Sequence, residues 1–247
     1  MKKINKGLTP SYQNASGKMR YTLTNDYLFR ALLQKNNKVL KGLSCSLKHL
    51  KMEDVRSVTI ENPILLGEAL DDKTFVLDVK VLLNNSSVIN YEMQVVNLLN
   101  WAERSLIYLC RVFDQLHKGE DYLKIKSATL ISFLDFTLFP EQPEFYATYQ
   151  MMNVETHHLY TDKFALSVID LKQIGLATEE DKEWQIDCWA SLFKATTWEE
   201  IKMLAEKNEM IREAAETLYQ LTQEEKICTI VKRVDTFCCK NYLGTVA

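Results

Sequence analysis

Apolar residues recur along the chain with two different periods, and the changes between them outline its elements. Leu28, Phe29, Leu32 and Leu33 fall at helical steps behind a Thr24 or Asn25 cap, and a second short helix is expected over 37–50. The period then becomes two. Strands are predicted at 56–65, 73–83 and 88–96, the last two rich in Val, Leu, Ile and Phe. From Asn97, apolar positions return to three- and four-residue steps through Leu98, Ala102, Ser105, Leu109, Val112 and Leu116. This predicts a long helix that closes at Lys118-Gly119. A strand over 128–133 follows, then two more around 145–153 and 164–171. Beyond Gly175, amphipathic helical spacing fills 179–194, 198–206 and 209–239. A helix, a three-strand meander, a long helix and returning strands together predict an α/β layer fold.

Glycine, proline, serine and asparagine crowd the first twenty residues, which read as a flexible arm. With a boundary near Gly175, three segments are expected: an arm over 1–22, a core over 23–175 and a C-terminal helical subdomain over 176–247. The 247 residues, 47% of them hydrophobic, suffice for one large core. No apolar run approaches the roughly 18 residues of a membrane span, and the N-terminus lacks a secretory apolar stretch, so a cytoplasmic protein is expected.

Net charge is −3, but residues 1–51 carry eleven Lys or Arg against one acid, Asp26, which leaves −13 on the remainder. That density suits contact with phosphates, and suits equally a solvated arm. The six cysteines show no C-x-x-C spacing and the four histidines form no H-E-x-x-H pair. Reduced core thiols are expected, and any metal would be held by oxygen.

Such oxygens occur in the segment KTFVLDVKVLLNNSSVINYEMQ, residues 73–94. Strand alternation places Phe75, Leu77, Val79 and Val81 on one face and Asp78 with Lys80 on the other. In the next strand Glu92 and Gln94 share a face. Two carboxylates on adjacent strands can chelate one divalent ion such as Mg²⁺, although acids on a solvated strand face are also ordinary. The pairing carries a condition. Asp78 and Glu92 face the same way only if the connection has an odd length, such as Asn84 to Ser86 with Leu83 opposite Ser87, or if a β-bulge shifts the count.

LDVK, then INYEMQ, then NLLNWAERSLIYLCRVFDQLHKGEDYLKIKSATLISFLDFTLF resemble the Rpn family of recombination-promoting nucleases and transposase-like proteins. TNDYLFRALL is similar to the short helix with which that family begins. The resemblance runs from about Thr22 to Leu171, and the helical remainder is similar in character only. It implies a restriction-endonuclease-like PD-(D/E)xK core, a mixed sheet flanked by helices, followed by the C-terminal helical segment. It further implies a bacterial, Mg²⁺-dependent DNA endonuclease with little sequence preference, tied to recombination, mobile elements or defence. Asp78 and Glu92 become the metal ligands, with Gln94 as third motif residue and a carbonyl near Met93 completing the coordination. An acid on the first helix, Asp26, assists the metal or else serves the helix dipole.

Gln94 departs from the wider class, where lysine is usual: an amide orients water but supplies no positive charge. Lys80, on the Asp78 face, either compensates or is a solvated strand lysine. Arg104, Tyr108, Arg111 and Gln115 form a stripe on the long helix, suited to DNA phosphates or simply facing solvent. DNA is the expected partner, and a homo-oligomer is left open. The alternative function is a catalytically inactive, nuclease-derived module for binding DNA or protein.

Overall fold

The computed structural model describes residues 11–64, 66 and 78–243, with side chains up to 236. Six strands form one mixed sheet in the order β1-β2-β3-β4-β6-β5. They are β1 (Val58–Ile60), β2 (Val79–Leu83), β3 (Ser87–Gln94), β4 (Ser127–Leu134), β5 (Tyr146–Gln150) and β6 (Phe164–Asp170). β1, β2 and β3 pair antiparallel; β3, β4 and β6 run parallel; β5 returns antiparallel along the far edge. The part of the expected second strand before Asp78 lies outside the described residues.

The central strands are buried on both faces, as parallel strands under helices must be. One face of β3 carries Ile89, Tyr91 and Met93. These pack with Ile131, Phe133 and Ile169 against α1 (Asp26–Lys35) and α2 (Asn37–Leu47). On the other face Val88, Ala128, Leu130, Leu134, Leu166 and Val168 lie beneath Trp101, Leu109 and Val112 of α3 (Trp101–Phe113). Strand alternation assigns Asn90, Glu92 and Gln94 to this α3 side. Along β3, period two thus sets Ile89, Tyr91 and Met93 toward α1 and α2, and Val88 with Asn90, Glu92 and Gln94 toward α3, so the polar residues share a face that is itself largely apolar.

Five helices follow the sheet: α4 (Glu179–Glu183), α5 (Ile186–Lys194), α6 (Trp198–Lys207), α7 (Glu209–Gln223) and α8 (Glu225–Leu243). The stretch expected as one helix over 179–194 breaks at Gln185, which takes a left-handed conformation at φ 59°. Likewise 209–239 breaks at Glu224, whose extended backbone ends α7. Side-chain caps set the starts of three of these helices, each contributing about 1 kcal/mol. Thr178 with Asp181 and Thr197 with Glu200 form capping boxes, and Asn208 accepts from Met210 and Ile211 N–H.

These helices share the core of the sheet. Ile211, Ala214 and Leu218 of α7 and Ile227, Val231 and Val234 of α8 belong to the same buried cluster as Leu28, Leu32 and Phe133. Phe29 of α1, Phe133 of β4 and Phe193 of α5 meet edge-on, with centroids 4.9–5.6 Å apart. Each such contact adds about 1 kcal/mol beyond burial.

Residues 11–22 do not form a free arm. Tyr12, Met19 and Tyr21 are buried. Met19 N–H donates to Thr196 O at 2.8 Å and Trp198 N–H donates to Gly17 O at 3.0 Å, so the segment is held along the start of α6. Cysteine placement is mixed: Cys45 is buried, whereas Cys110, expected in the core, is exposed on α3. No helix among the described residues is long and apolar enough to cross a membrane.

Candidate active site

The hairpin between β2 and β3 meets the register condition. Leu83 pairs with Ser87 across the three-residue turn Asn84–Ser86, and the ladder continues to Val79 opposite Tyr91. Continued by one step the same register brings Asp78 opposite Glu92, and Asp78 acts electrostatically on the Glu92 carboxyl. Asn84 and Asn85 occupy left-handed backbone at φ 49° and 55°, which asparagine tolerates better than most residues. Asn84 also fixes the neighbouring strand, for its side-chain oxygen accepts from Arg56 N–H at 2.7 Å and its amide donates to Asp54 O at 2.9 Å. A two-residue turn would slip the register by one and send the two carboxylates to opposite faces.

Asp78 is anchored through its backbone. Its carbonyl accepts from Asn62 Nδ2 at 3.0 Å and from Arg30, a fully buried arginine of α1 that also donates to Asn62 O. Asn62 Oδ1 in turn accepts from Lys80 N–H at 2.8 Å. Arg30 and Asn62 together hold the start of β2 beyond the end of β1, satisfying backbone groups that burial would otherwise strand. Sequence reasoning missed both. The available signal for Arg30 was a lone charge inside the apolar run LFRALL.

Glu92 is 6% exposed, and its Oε1 lies 2.6 Å from Arg104 Nη2. Arg104 Nη1 donates to Gln94 Oε1 at 2.8 Å, and Gln94 Nε2 donates to Val96 O at 2.8 Å, which fixes the amide's orientation. Ser132 of β4 reaches the second Glu92 oxygen at 3.5 Å. Arg104 also stands 5.3 Å over the Tyr108 ring, with Arg111 5.6 Å from the same ring. The stripe read on α3 is therefore present for Arg104, Tyr108 and Arg111, but its first member turns into the sheet. Gln115 lies beyond the helix, which ends at Phe113, and donates to Val112 O.

Burial raises the Glu92 carboxyl above the ordinary range; Asp78 adds to the rise, and Arg104 and Ser132 oppose it. Asp26, at the first turn of α1, is pushed up to about 7, by burial first and then by Glu92 and Asp235, against the pull of Arg104. Asp26 and Glu92 thus each feel Arg104, while Glu92 and Asp235 act on Asp26 and Asp78 acts on Glu92, although these groups come from α1, the residue before β2, β3, α8 and α3. Asp235 went unnoticed in the sequence because an acid on an amphipathic helix has no distinguishing spacing. A groove of about 590 Å³ opens beside them, with Asp26, Gln94 and Asp235 among its walls and Lys18 and Arg20 at its side. Lys80 lies instead 3.1 Å from Glu61.

Among the described residues no three His, Cys, Asp or Glu side chains are arranged to hold a metal ion between them. The donor chemistry nevertheless fits a hard divalent cation, which needs one or two carboxylates, water and substrate phosphate rather than a closed protein cage. The Asn90 side chain, on the same strand face, is fully buried, and among the described residues neither of its polar atoms finds a hydrogen-bond partner.

Comparison with curated proteins and with solved structures returned no match. The family described as PD-(D/E)XK nuclease family transposase matches residues 23–234, which extends the likeness from the sheet through the helices to α8. Its sheet order, its carboxylate strands and this match agree: the chain belongs to the PD-(D/E)XK nuclease family of transposases.

Proposed function

We propose that this protein hydrolyses phosphodiester bonds in DNA with the help of a divalent cation, Mg²⁺ by preference, and with little dependence on sequence. The observation that supports the reading is the β2–β3 register, whose ladder ends at Val79 opposite Tyr91 and, continued by one step, brings Asp78 opposite Glu92. Asp78 and Glu92 would hold the cation, with Asp26 assisting from α1. When bound, the cation supplies charge neutralisation at the phosphate and a more acidic water. Gln94, with its amide fixed by Val96 O and Arg104, orients that water by hydrogen bonds. Arg111, exposed on α3, half-buried Tyr108 beside it, and the basic N-terminal region give the DNA backbone its contacts. Non-specific cleavage suits work in recombination, mobile-element movement or defence.

A second reading is supported by the Glu92–Arg104 pair, because an arginine can replace the metal as counter-ion in a protein that binds DNA without cutting it. Plasmid nicking with Mg²⁺, comparing the natural chain with Asp78→Ala, separates the two. Cleavage lost in the variant supports the enzyme. Equal cleavage by both sinks the site, and DNA binding without cleavage by the natural chain selects the inactive module.

A further inference from the structure

The position of Arg104 answers a chemical need that Gln94 leaves open. Charge builds on the non-bridging oxygens as a phosphodiester is attacked, and a neutral amide cannot neutralise it. Lys80 is committed to Glu61 at 3.1 Å. Arg104, by contrast, bonds both Glu92 at 2.6 Å and Gln94 at 2.8 Å. It does so with the two arms of one planar fork, so a single group fixes two side chains. The helix beneath it is rigidly placed, since Trp101, Leu109 and Val112 are buried against the sheet. Its guanidinium carries five donors, and two of them serve these partners.

We infer that Arg104 is the cation of the catalytic motif, carried on α3 rather than on β3: it holds Glu92 and Gln94 in place and sets a fixed positive charge beside the scissile phosphate. The inference rests on the nuclease reading. In the reaction, the oxygen of water bonds to phosphorus as the bond from phosphorus to the leaving oxygen breaks. The proton released by the water is balanced by one taken up at the leaving oxygen. Arg104 takes no part in that proton traffic and stays charged throughout, as an arginine does. Its place at Gln94 also means that lysine at position 94 would set an ammonium against a guanidinium.

The test compares the natural chain with Arg104→Gln, Arg104→Lys, Gln94→Lys and the double variant Arg104→Gln/Gln94→Lys. Single-turnover plasmid cleavage with Mg²⁺, DNA affinity in EDTA and thermal melting are measured for each. Arg104→Gln should cleave on the order of 100-fold more slowly, as removal of one pre-organised electrostatic group does. Its DNA affinity in EDTA should fall far less than its cleavage rate, by no more than the loss of one phosphate contact accounts for. Arg104→Lys, which keeps the charge but loses the fork, should fall between them and guards against a glutamine variant that fails to fold. Gln94→Lys alone should be impaired, and the double variant should cleave faster than Arg104→Gln, because the charge has returned to the strand. Unimpaired cleavage by Arg104→Gln overturns the inference, as does a folded double variant no better than Arg104→Gln. A natural chain that does not cleave removes the nuclease reading itself, and this inference with it.

Discussion

Asn25 Nδ2 lies 2.6 Å from Asp235 Oδ1 and 3.2 Å from Val231 O, so one side chain ties the start of α1 to α8. Its Oδ1 meanwhile accepts from Leu28 N–H at 3.0 Å and caps α1. Because Asp26 follows directly, this residue also fixes where the helix presents its carboxylate.

Asn25→Ala should destabilise the protein by about 2–4 kcal/mol, summing a lost cap with a lost hydrogen bond to a charged group. Urea unfolding measures it. A change below about 0.5 kcal/mol, the level of a neutral surface substitution, would show that the link to α8 carries no weight.

Asp26 makes stability depend on pH in a direction opposite to that of an ordinary salt-bridged acid. Its folded-state pKa of about 7 lies above the usual 3.8, so the folded protein holds a proton that the unfolded chain releases between those values. Stability contributed by this group is complete below pH 4 and declines as pH rises through 7. Each pH unit corresponds to roughly 1.4 kcal/mol, and the opening of the groove to solvent screens part of that. Asp26→Asn should therefore match the natural chain near pH 4 and exceed it at pH 8 by about 1–3 kcal/mol. Paired unfolding curves at the two pH values decide it, and an equal difference at both would refute the assignment.

Glu92→Gln separates chemistry from stability. Burial raises the Glu92 pKa, so its charged form is costly in the folded protein and Arg104 offsets that cost only in part. Glutamine keeps an acceptor for Arg104 without that charge. The variant should melt no lower than the natural chain at pH 8, yet lose cleavage on the order of 100-fold or more. Mg²⁺ should raise the melting temperature of the natural chain and leave that of the variant unmoved. A Mg²⁺ shift of equal size in both would place the cation elsewhere.

What the sequence disclosed follows from how local each signal is. Alternation in β2 and β3 is readable because one face is core, and the turn length follows from requiring two carboxylates on one side. Caps are local too, and Asn25 is legible as one. The breaks at Gln185 and Glu224 were hidden because neither residue is a helix breaker. The partner of Arg104 was hidden for a different reason: helical spacing says which residues share a stripe but not which strand the stripe meets. Asp235 reaches Asp26 only through the packing of α8 on α1, across some two hundred residues of chain.

The N-terminal region shows the same limit and gives the last prediction. Its Gly, Pro and Ser content reads as a flexible arm, but Tyr12 and Met19 are buried and Gly17 N–H donates to Glu199 at 3.0 Å. Removing 1–20 should therefore destabilise the fold, by about 2 kcal/mol or more for each large buried side chain lost. Removing only 1–10 takes away Lys2, Lys3 and Lys6. Each phosphate contact those lysines make would lower the slope of log affinity against log salt by about 0.9. Melting curves and salt titrations of the two truncated chains test both halves. If the longer truncation melts like the natural chain, the packing of residues 11–22 contributes nothing to stability. If the shorter one binds DNA with an unchanged salt slope, Lys2, Lys3 and Lys6 make no contact with DNA phosphates.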